Sequence, residues 1–389
     1  MRILFLISCT MLILTGCVKI NEIQYQAYVV GLGIDYLDNE YHVHLQFADF
    51  SNVAKTQQGK NDRPAPVWLA TGTGKSIEEA FTKVNQGIQL PVNFDQLRVF
   101  LFGKSLLENK LETTLQALDS NYKIRLTGWT YGTEEKLEDI FTTKIPFNYA
   151  FTSTRINKPE YLQQQDSTVP SITLQELIYQ YNEKTKTILL PNISIKKDAI
   201  KSDTKKVPVS TFNGAFIIKD KKLKDLFSEN DLKGYIRVNN KTFRSYMTIS
   251  KSKGDNEEYI VIELLKPKLK RRFTNKQNDM SYRLDIKITG IISESSYGMV
   301  DPKIKKRIEE KIKDEVYETY KKSHGINGDI YQFEDYMYRF MYNDWKKYHD
   351  EKKFPTLKKE DIHVNITSLK SINNIHSGST PPSNKLLPE

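Results

Sequence analysis

The stretch TGTGKSIEEAF, residues 71–81, has two readings that lead to different folds. As a phosphate-binding loop, Gly74-Lys75-Ser76 would join a strand to a helix in a nucleotide-binding protein. As a helix start, Ser76 is an N-cap before Ile77, with Glu79 three residues on as in a capping box. Spacing decides between them. The motif G-x-x-x-x-G-K-[ST] puts its leading glycine at position 69, which is Leu69. Gly72 cannot replace it, because the ring of backbone N–H groups around an anion would be three residues short. Gly31-Leu32-Gly33 fails in the same way, since G-x-G-x-x-G requires glycine where Tyr36 stands. The stretch is therefore expected to lead into a capped helix beginning at Ile77, with no nucleotide bound.

Working outward, residues 27–36 and 41–47 are β-branched and aromatic runs joined by Leu37-Asp38-Asn39-Glu40, which predicts a hairpin. Tyr41, Val43, Leu45 and Phe47 share one face of the second strand. His42, His44 and Gln46 share the other, expected to be exposed. Two histidines at i, i+2 could share a metal only with a further ligand, and no suitable one lies near, so no metal or cofactor is expected. Helices are predicted at 77–88 (inner face Ala80, Phe81, Val84 and Ile88), 108–118 and 134–141, with strands at 97–102 and 125–131. Alternating strands and helices predict a mixed α/β domain. Residues 157–171 (NKPEYLQQQDSTVPS) have the composition of a linker. A helix at 174–181 and strands near 188–195 and 214–219 follow.

From residue 242 the pattern changes to long strands, FRSYMTISK, EYIVIELLKPKLKRRF and SYRLDIKITGIISES, which predict an antiparallel sheet. Within them, Lys266, Lys268, Lys270 and Arg272 share a face beside Arg271 and are expected to form a solvated edge rather than a lipid-facing stripe. Asp301-Pro302 predicts a helix start. Ile304, Ile308, Ile312, Val316 and Tyr320 form one stripe, and His324-Gly325 is the expected end, with the glycine left-handed. A second helix over 330–348 carries Phe333, Met337, Phe340, Met341 and Trp345, with Phe340 and Trp345 expected in the core. A strand at 361–369 returns to the sheet.

The fold class expected is α+β: three successive mixed α/β domains, the last an antiparallel sheet packed against two long helices. The boundaries are 1–16 signal peptide, 17–26 tether, 27–150 N-terminal domain, 151–240 small middle domain, 241–371 C-terminal domain and 372–389 disordered tail. A two-part division would run 22–200 and 210–371.

The N-terminus decides location. Met1-Arg2 is a minimal basic region, and the apolar run 3–14 has about a dozen residues where a bilayer span needs ~20. Leu14-Thr15-Gly16-Cys17 then reads as a lipobox: cleavage before Cys17, whose thiol would carry diacylglycerol with palmitate-type chains. Of the 2 cysteines, cleavage discards Cys9 and acylation occupies Cys17, leaving no thiol for a disulfide. The 389 residues must then be held by their cores. The net charge of +10 suits an anionic membrane or wall surface, with no nucleic acid expected as a partner of an exported chain.

Several segments together resemble the Ger(x)C family of spore germination lipoproteins, the C subunits of nutrient germinant receptors. They are LTGC at 14–17, NEIQYQAYVVGLGIDY at 21–36, ATGTGKSIEEAF at 70–81, LRVFLFGKSLL at 97–107 and GAFIIKDKKLKDL at 214–226. The Lys/Glu-rich helix paired with a Trp-containing one completes the resemblance. It implies a non-enzymatic subunit anchored through Cys17 to the outer face of the spore inner membrane. It also implies assembly with two multi-span receptor subunits.

Two other readings were weighed. A solute-binding lipoprotein presenting a ligand to a transporter would need two similar α/β lobes around a cleft, against which the antiparallel second half counts. A wall-active hydrolase would need a carboxylate pair. The nearest acidic pair, Asp35 and Asp38, sits at a hairpin turn, where Asp is conformationally expected.

Overall fold

The computed structural model describes residues 25–48, 66–143, 145–148, 151–163, 165, 167–253, 256–276, 279–296 and 303–371. The signal peptide, the lipobox (Leu14, Thr15, Gly16, Cys17), the loop 51–65, Asp301-Pro302 and the tail from 372 lie outside the described residues.

The chain opens with the expected hairpin, β1 (Ala27–Leu37) and β2 (Glu40–Phe47). Its turn residues Asp38 (φ 52°) and Asn39 (φ 62°) are both left-handed, as a two-residue turn matched to strand twist requires. Next come β3 (Trp68–Gly74), α1 (Ile77–Gln86), β4 (Val92–Asn93), β5 (Val99–Gly103), α2 (Lys104–Asn109), α3 (Leu111–Asp119), β6 (Trp129–Thr133) and α4 (Leu137–Thr142). The helix expected over 108–118 is thus two helices, broken at Lys110 (φ −137°). After α5 (Pro159–Gln163) and β7 (Ile172–Thr173), α6 (Leu174–Asn182) starts with a full capping box between Thr173 and Glu176.

The long strands β8 (Thr187–Ser202) and β9 (Lys205–Lys219) and the short β10 (Lys222–Phe227) extend the first sheet. Its order is β10-β9-β8-β6-β5-β1-β2-β3, with β4 and β7 pairing β1 and β6 off this path. β1, β5 and β6 run parallel, and β8 joins β6 through the Gly132–Asn192 pairing. Both faces are covered, so the inner strands are continuously apolar rather than alternating. One core holds Leu32, Ile34, Phe100 and Phe102 beneath α1, α2, α3 and α6. The other holds Val99, Leu101 and Tyr131 beneath α4.

The 157–171 segment is not a free linker. Asn157, Ser167, Val169 and Ser171 are buried, and the Ser167 hydroxyl accepts the backbone N–H groups of Phe243 and Arg244. Its polar composition matches a loop because its partners are backbone groups 76 and 77 residues away.

The C-terminal part begins with α7 (Lys233–Val238) and builds a second sheet from β11 (Arg244–Lys253), β12 (Asn256–Lys276) and β13 (Asp279–Ser295). These three strands are antiparallel as expected, and the returning β14 (Leu357–Ser371) adds in parallel to β13. β11 stops pairing at Leu265, leaving the far half of β12 as an open edge on which Lys266, Lys268, Lys270 and Arg272 are exposed. Arg271 points the other way and donates to the Tyr331 carbonyl.

The sheet is covered by α8 (Ile304–Gly325), whose stripe Ile304, Ile308, Ile312, Val316 and Tyr320 is buried as its four-residue spacing predicts. The left-handed residue after it is Asn327 (φ 59°), not Gly325. The second helix is interrupted at Met341 (φ −143°), giving α9 (Phe333–Phe340) and α10 (Tyr342–Asp350). Phe333, Met337 and Trp345 fill the core. Phe340 does not: as the last residue of α9 it is 70% exposed and rests against the Tyr336 ring.

Ile308→Asp should cost at least ~3 kcal/mol, since it removes a fully buried side chain and strands a carboxylate among apolar groups. Phe340→Ala should cost less than about 1 kcal/mol. Thermal melting of the two variants distinguishes the buried stripe from the exposed ring.

Candidate functional site

The segment between β3 and α1 shows what the glycines of TGTGKS do. A Cβ on Gly72 would lie 2.5 Å from the Ala80 carbonyl oxygen, and one on Gly74 would lie 2.7 Å from the Ala80 nitrogen. Both glycines let α1 rest directly on the strand. Ser76 caps the helix by accepting the Glu79 N–H at 3.1 Å, while the Glu79 carboxylate accepts the Lys75 N–H at 2.8 Å. This departs from a strict capping box only in which backbone N–H is taken. The Lys75 side chain is 72% exposed and pairs with Glu40 at 3.1 Å. Nothing in this turn converges on an anion.

Gly31 and Gly33 serve the opposite face. A Cβ on either would come within 2.8 Å and 2.7 Å of the Phe141 ring, so the pair seats α4 on β1. Beneath α4, His44 and Gln46 are buried, contrary to their expected exposure, because a sheet covered on both sides has no solvent face. Gln46 donates to the Phe141 carbonyl at 3.0 Å. His44 Nδ1 lies 3.8 Å from Glu138, and burial lowers its pKa against the opposing pull of Glu138. Asp35 accepts the N–H groups of Tyr36 (2.8 Å) and Leu106 (3.1 Å), tying β1 to the first turn of α2. It acts as a structural cap, and Asp38 remains in the hairpin turn. Among the described residues, no group of three or more His, Cys, Asp or Glu could hold a metal ion.

Two arrangements had no sequence signal. One is an ionic cluster where the first sheet meets α9. Lys219, at the end of β9, pairs with Glu334, and Lys186 pairs with Asp335 at 2.7 Å. Arg339 binds both Asp335 (3.0 Å) and Glu183 (3.1 Å). Burial alone would raise the Asp335 carboxyl, but Lys186 and Arg339 outweigh it and hold its pKa below the ordinary value. Burial would likewise lower the Lys219 ammonium, but Asp329 and Glu334 outweigh it and raise its pKa. The partners lie 115 and 149 residues apart, so no local pattern could join them.

The other is a half-open groove of about 450 Å³ between the chain after α4 and the outer arm of β8 and β9. Ile140, Phe151, Ile156, Ile200 and Val209 form its apolar lining, and Arg155 and Lys196 bring positive charge. Its volume falls in the range of small-molecule pockets. Among the described residues that line it there is no His, Cys, Asp or Glu.

With this geometry in hand, comparison with known proteins defines the class. A profile described as Spore germination protein N-terminal domain matches residues 19–195, and one described as Spore germination B3/GerAC like, C-terminal, matches residues 213–372. The chain is a spore germination protein by class, and it belongs to the Ger(x)C family. Spore germination protein KC of Bacillus subtilis (strain 168) is 24% identical over 370 residues, covering 90% of this chain and 89% of that protein. YfkR of the same organism is 21% identical over 332 residues, covering 83% and 84%. The crystal structure of the GerBC protein aligns at 17% identity with a TM-score of 0.49, covering 88% of this chain and 97% of that one.

Lys75→Ala should change stability by less than ~0.5 kcal/mol and leave no ATP binding to lose. Gly72→Ala should cost about 1–3 kcal/mol through the clash with α1. Melting curves and calorimetric titration with ATP test both.

Because the Asp335 pKa is depressed in the fold, the stability it contributes is present above its ordinary value of 3.8 and lost as pH falls through the folded value. Wild type should therefore lose more stability than Asp335→Asn between pH 5 and the acid limit of folding, read by melting across that range.

Proposed function

We propose that this protein is a lipid-anchored, non-enzymatic subunit of a spore nutrient germinant receptor, acting with two multi-span partner subunits on the outer face of the spore inner membrane. The observation that carries the reading is the pair of spore germination profiles spanning 19–195 and 213–372, directly behind the lipobox that ends at Cys17. Two further features support it. Among the described residues no helix is long and apolar enough to cross a membrane, so attachment would fall to the acylated cysteine. Acyl chains contribute ~0.8 kcal/mol per buried methylene, and two on one residue make a durable anchor. The polar groups at the junction of the two sheets are engaged in structural ion pairs, which suits a rigid docking subunit.

A solute-binding role has one observation in its favour, the apolar groove with Arg155 and Lys196 at its margin. The division of the chain into domains at 27–150, 151–240 and 241–371 belongs to the same proposal.

Cys17→Ala should abolish acylation and release the protein from spore membranes, with loss of the nutrient response. The checks are mass spectrometry of the N-terminal peptide, carbonate washing of membranes and germination of spores carrying the variant. A variant that stays membrane-bound through the wash would overturn the anchor. Pull-down of the wild-type protein from spore membranes should bring multi-span subunits with it. A small soluble ligand in their place would favour the solute-binding role.

A further inference from the structure

The parallel strands β1, β5 and β6 all begin at one end of the first sheet, and the register places other segments there too. β2 ends at this end, with Phe47 opposite Val29, and β3 starts there, with Trp68 opposite Phe47. β4 pairs Val92 with Ala27, which puts Leu90 level with Tyr25. The turn between α3 and β6, containing Tyr122, closes the same end.

Large apolar side chains stand exposed at this end: Tyr25 at 61%, Trp68 at 60%, Leu90 at 44% and Tyr122 at 91%. Basic groups accompany them. Arg98 is exposed, and Lys123 sits over the Tyr122 ring at 5.8 Å. Tyrosine and tryptophan beside lysine and arginine are the side chains that settle at a bilayer interface, where a ring is half in the apolar layer and cations meet anionic headgroups.

Chain length says which end can reach a bilayer. Eight residue-to-residue steps lead from Cys17 to Tyr25, a reach of at most about 29 Å when fully extended. β1 has 11 residues and is roughly 36 Å long, so the far end of the sheet lies beyond the span of the tether. If Cys17 is in the membrane, the far end of the sheet cannot rest on it, whereas the end bearing Tyr25 can.

We infer that this end of the first sheet lies on the lipid surface, with Tyr25, Trp68, Leu90 and Tyr122 entering the headgroup region and Arg98 and Lys123 meeting anionic lipid. The surface thereby fixes the orientation of the subunit on the membrane, which a single acyl anchor would leave free. The inference rests on the lipid-anchor reading.

The test uses the full acylated chain in vesicles of phosphatidylglycerol and phosphatidylethanolamine, with and without brominated acyl chains. Trp129 and Trp345 are present in both wild type and Trp68→Phe, so the difference between the two emission spectra isolates Trp68. That component should be blue-shifted on vesicles and lose most of its intensity in the brominated ones. Leu90→Asp combined with Tyr122→Asp, both at exposed positions, should largely reverse the quenching without lowering the melting temperature. If Cys17 is shown to be acylated and the protein is bound, but Trp68 emission stays that of water and is not quenched, the anchor stands and this face is overturned. A blue shift without bromine quenching would also overturn it, by assigning the face to a protein partner. If Cys17 carries no acyl chain, the anchor and this inference fall together.

Discussion

Strand β9 faces two cores at once, and the architecture depends on it. Phe216 and Ile218 point into the core beneath α1, α3 and α6, while Ala215 and Ile217 point into the core shared with the second sheet and α8. A strand buried on both faces cannot slip by one residue without exchanging the two sets of side chains. Gly214, with φ 79° and the Phe227 carbonyl where a Cβ would go, holds the entry to this stretch in a conformation open only to glycine. Lys219 holds the exit by pairing with Glu334 of α9.

The junction therefore combines apolar packing with charge. Lys186 meets Asp335 and Lys219 meets Glu334 where solvent is largely excluded, so each of these ions depends on its partner: removing one strands the other. Arg339 and Glu183 extend the cluster at its solvent-exposed margin. Such a cluster specifies how α9 lies against the first sheet more than it adds net stability. The two family segments meet at this place. The first ends within β8 and the second begins beside the GAFII run, so the β8–β9 strand pair, the ion pairs of Glu183 and Lys186 with α9 and the Ser167 contacts with Phe243 and Arg244 all join them.

Close packing also accounts for the motif-like glycines. Gly72 with Gly74, and Gly31 with Gly33, are spaced two apart because each pair lies on one face of a strand, and each admits a different helix, α1 above and α4 below. The same spacing makes them look like fragments of phosphate-binding loops. What the surfaces add is a division of labour: an end rich in exposed aromatic side chains near the proposed anchor, and an apolar groove on the outer arm of the β8–β9 hairpin.

Much of this was legible in the sequence, for reasons that are local. The β1–β2 hairpin follows from Asp38-Asn39, the start of α1 from Ser76 and Glu79, and the buried face of α8 from isoleucines four residues apart. Other features depended on partners distant in the chain. His44 and Gln46 look like the outer face of an amphipathic strand until α4 covers them. Phe340 continues the apolar stripe of Phe333 and Met337, yet it stands at the end of α9 with its ring in solvent. Ser167 looks like linker until Phe243 and Arg244, at the entry to β11, supply the N–H groups it accepts. The ionic cluster and the groove draw on segments about forty or more residues apart. Periodicity and capping act within a few turns of chain and can be read there, whereas burial of a polar side chain or pairing of two charges is settled only when the tertiary fold brings a second surface against the first.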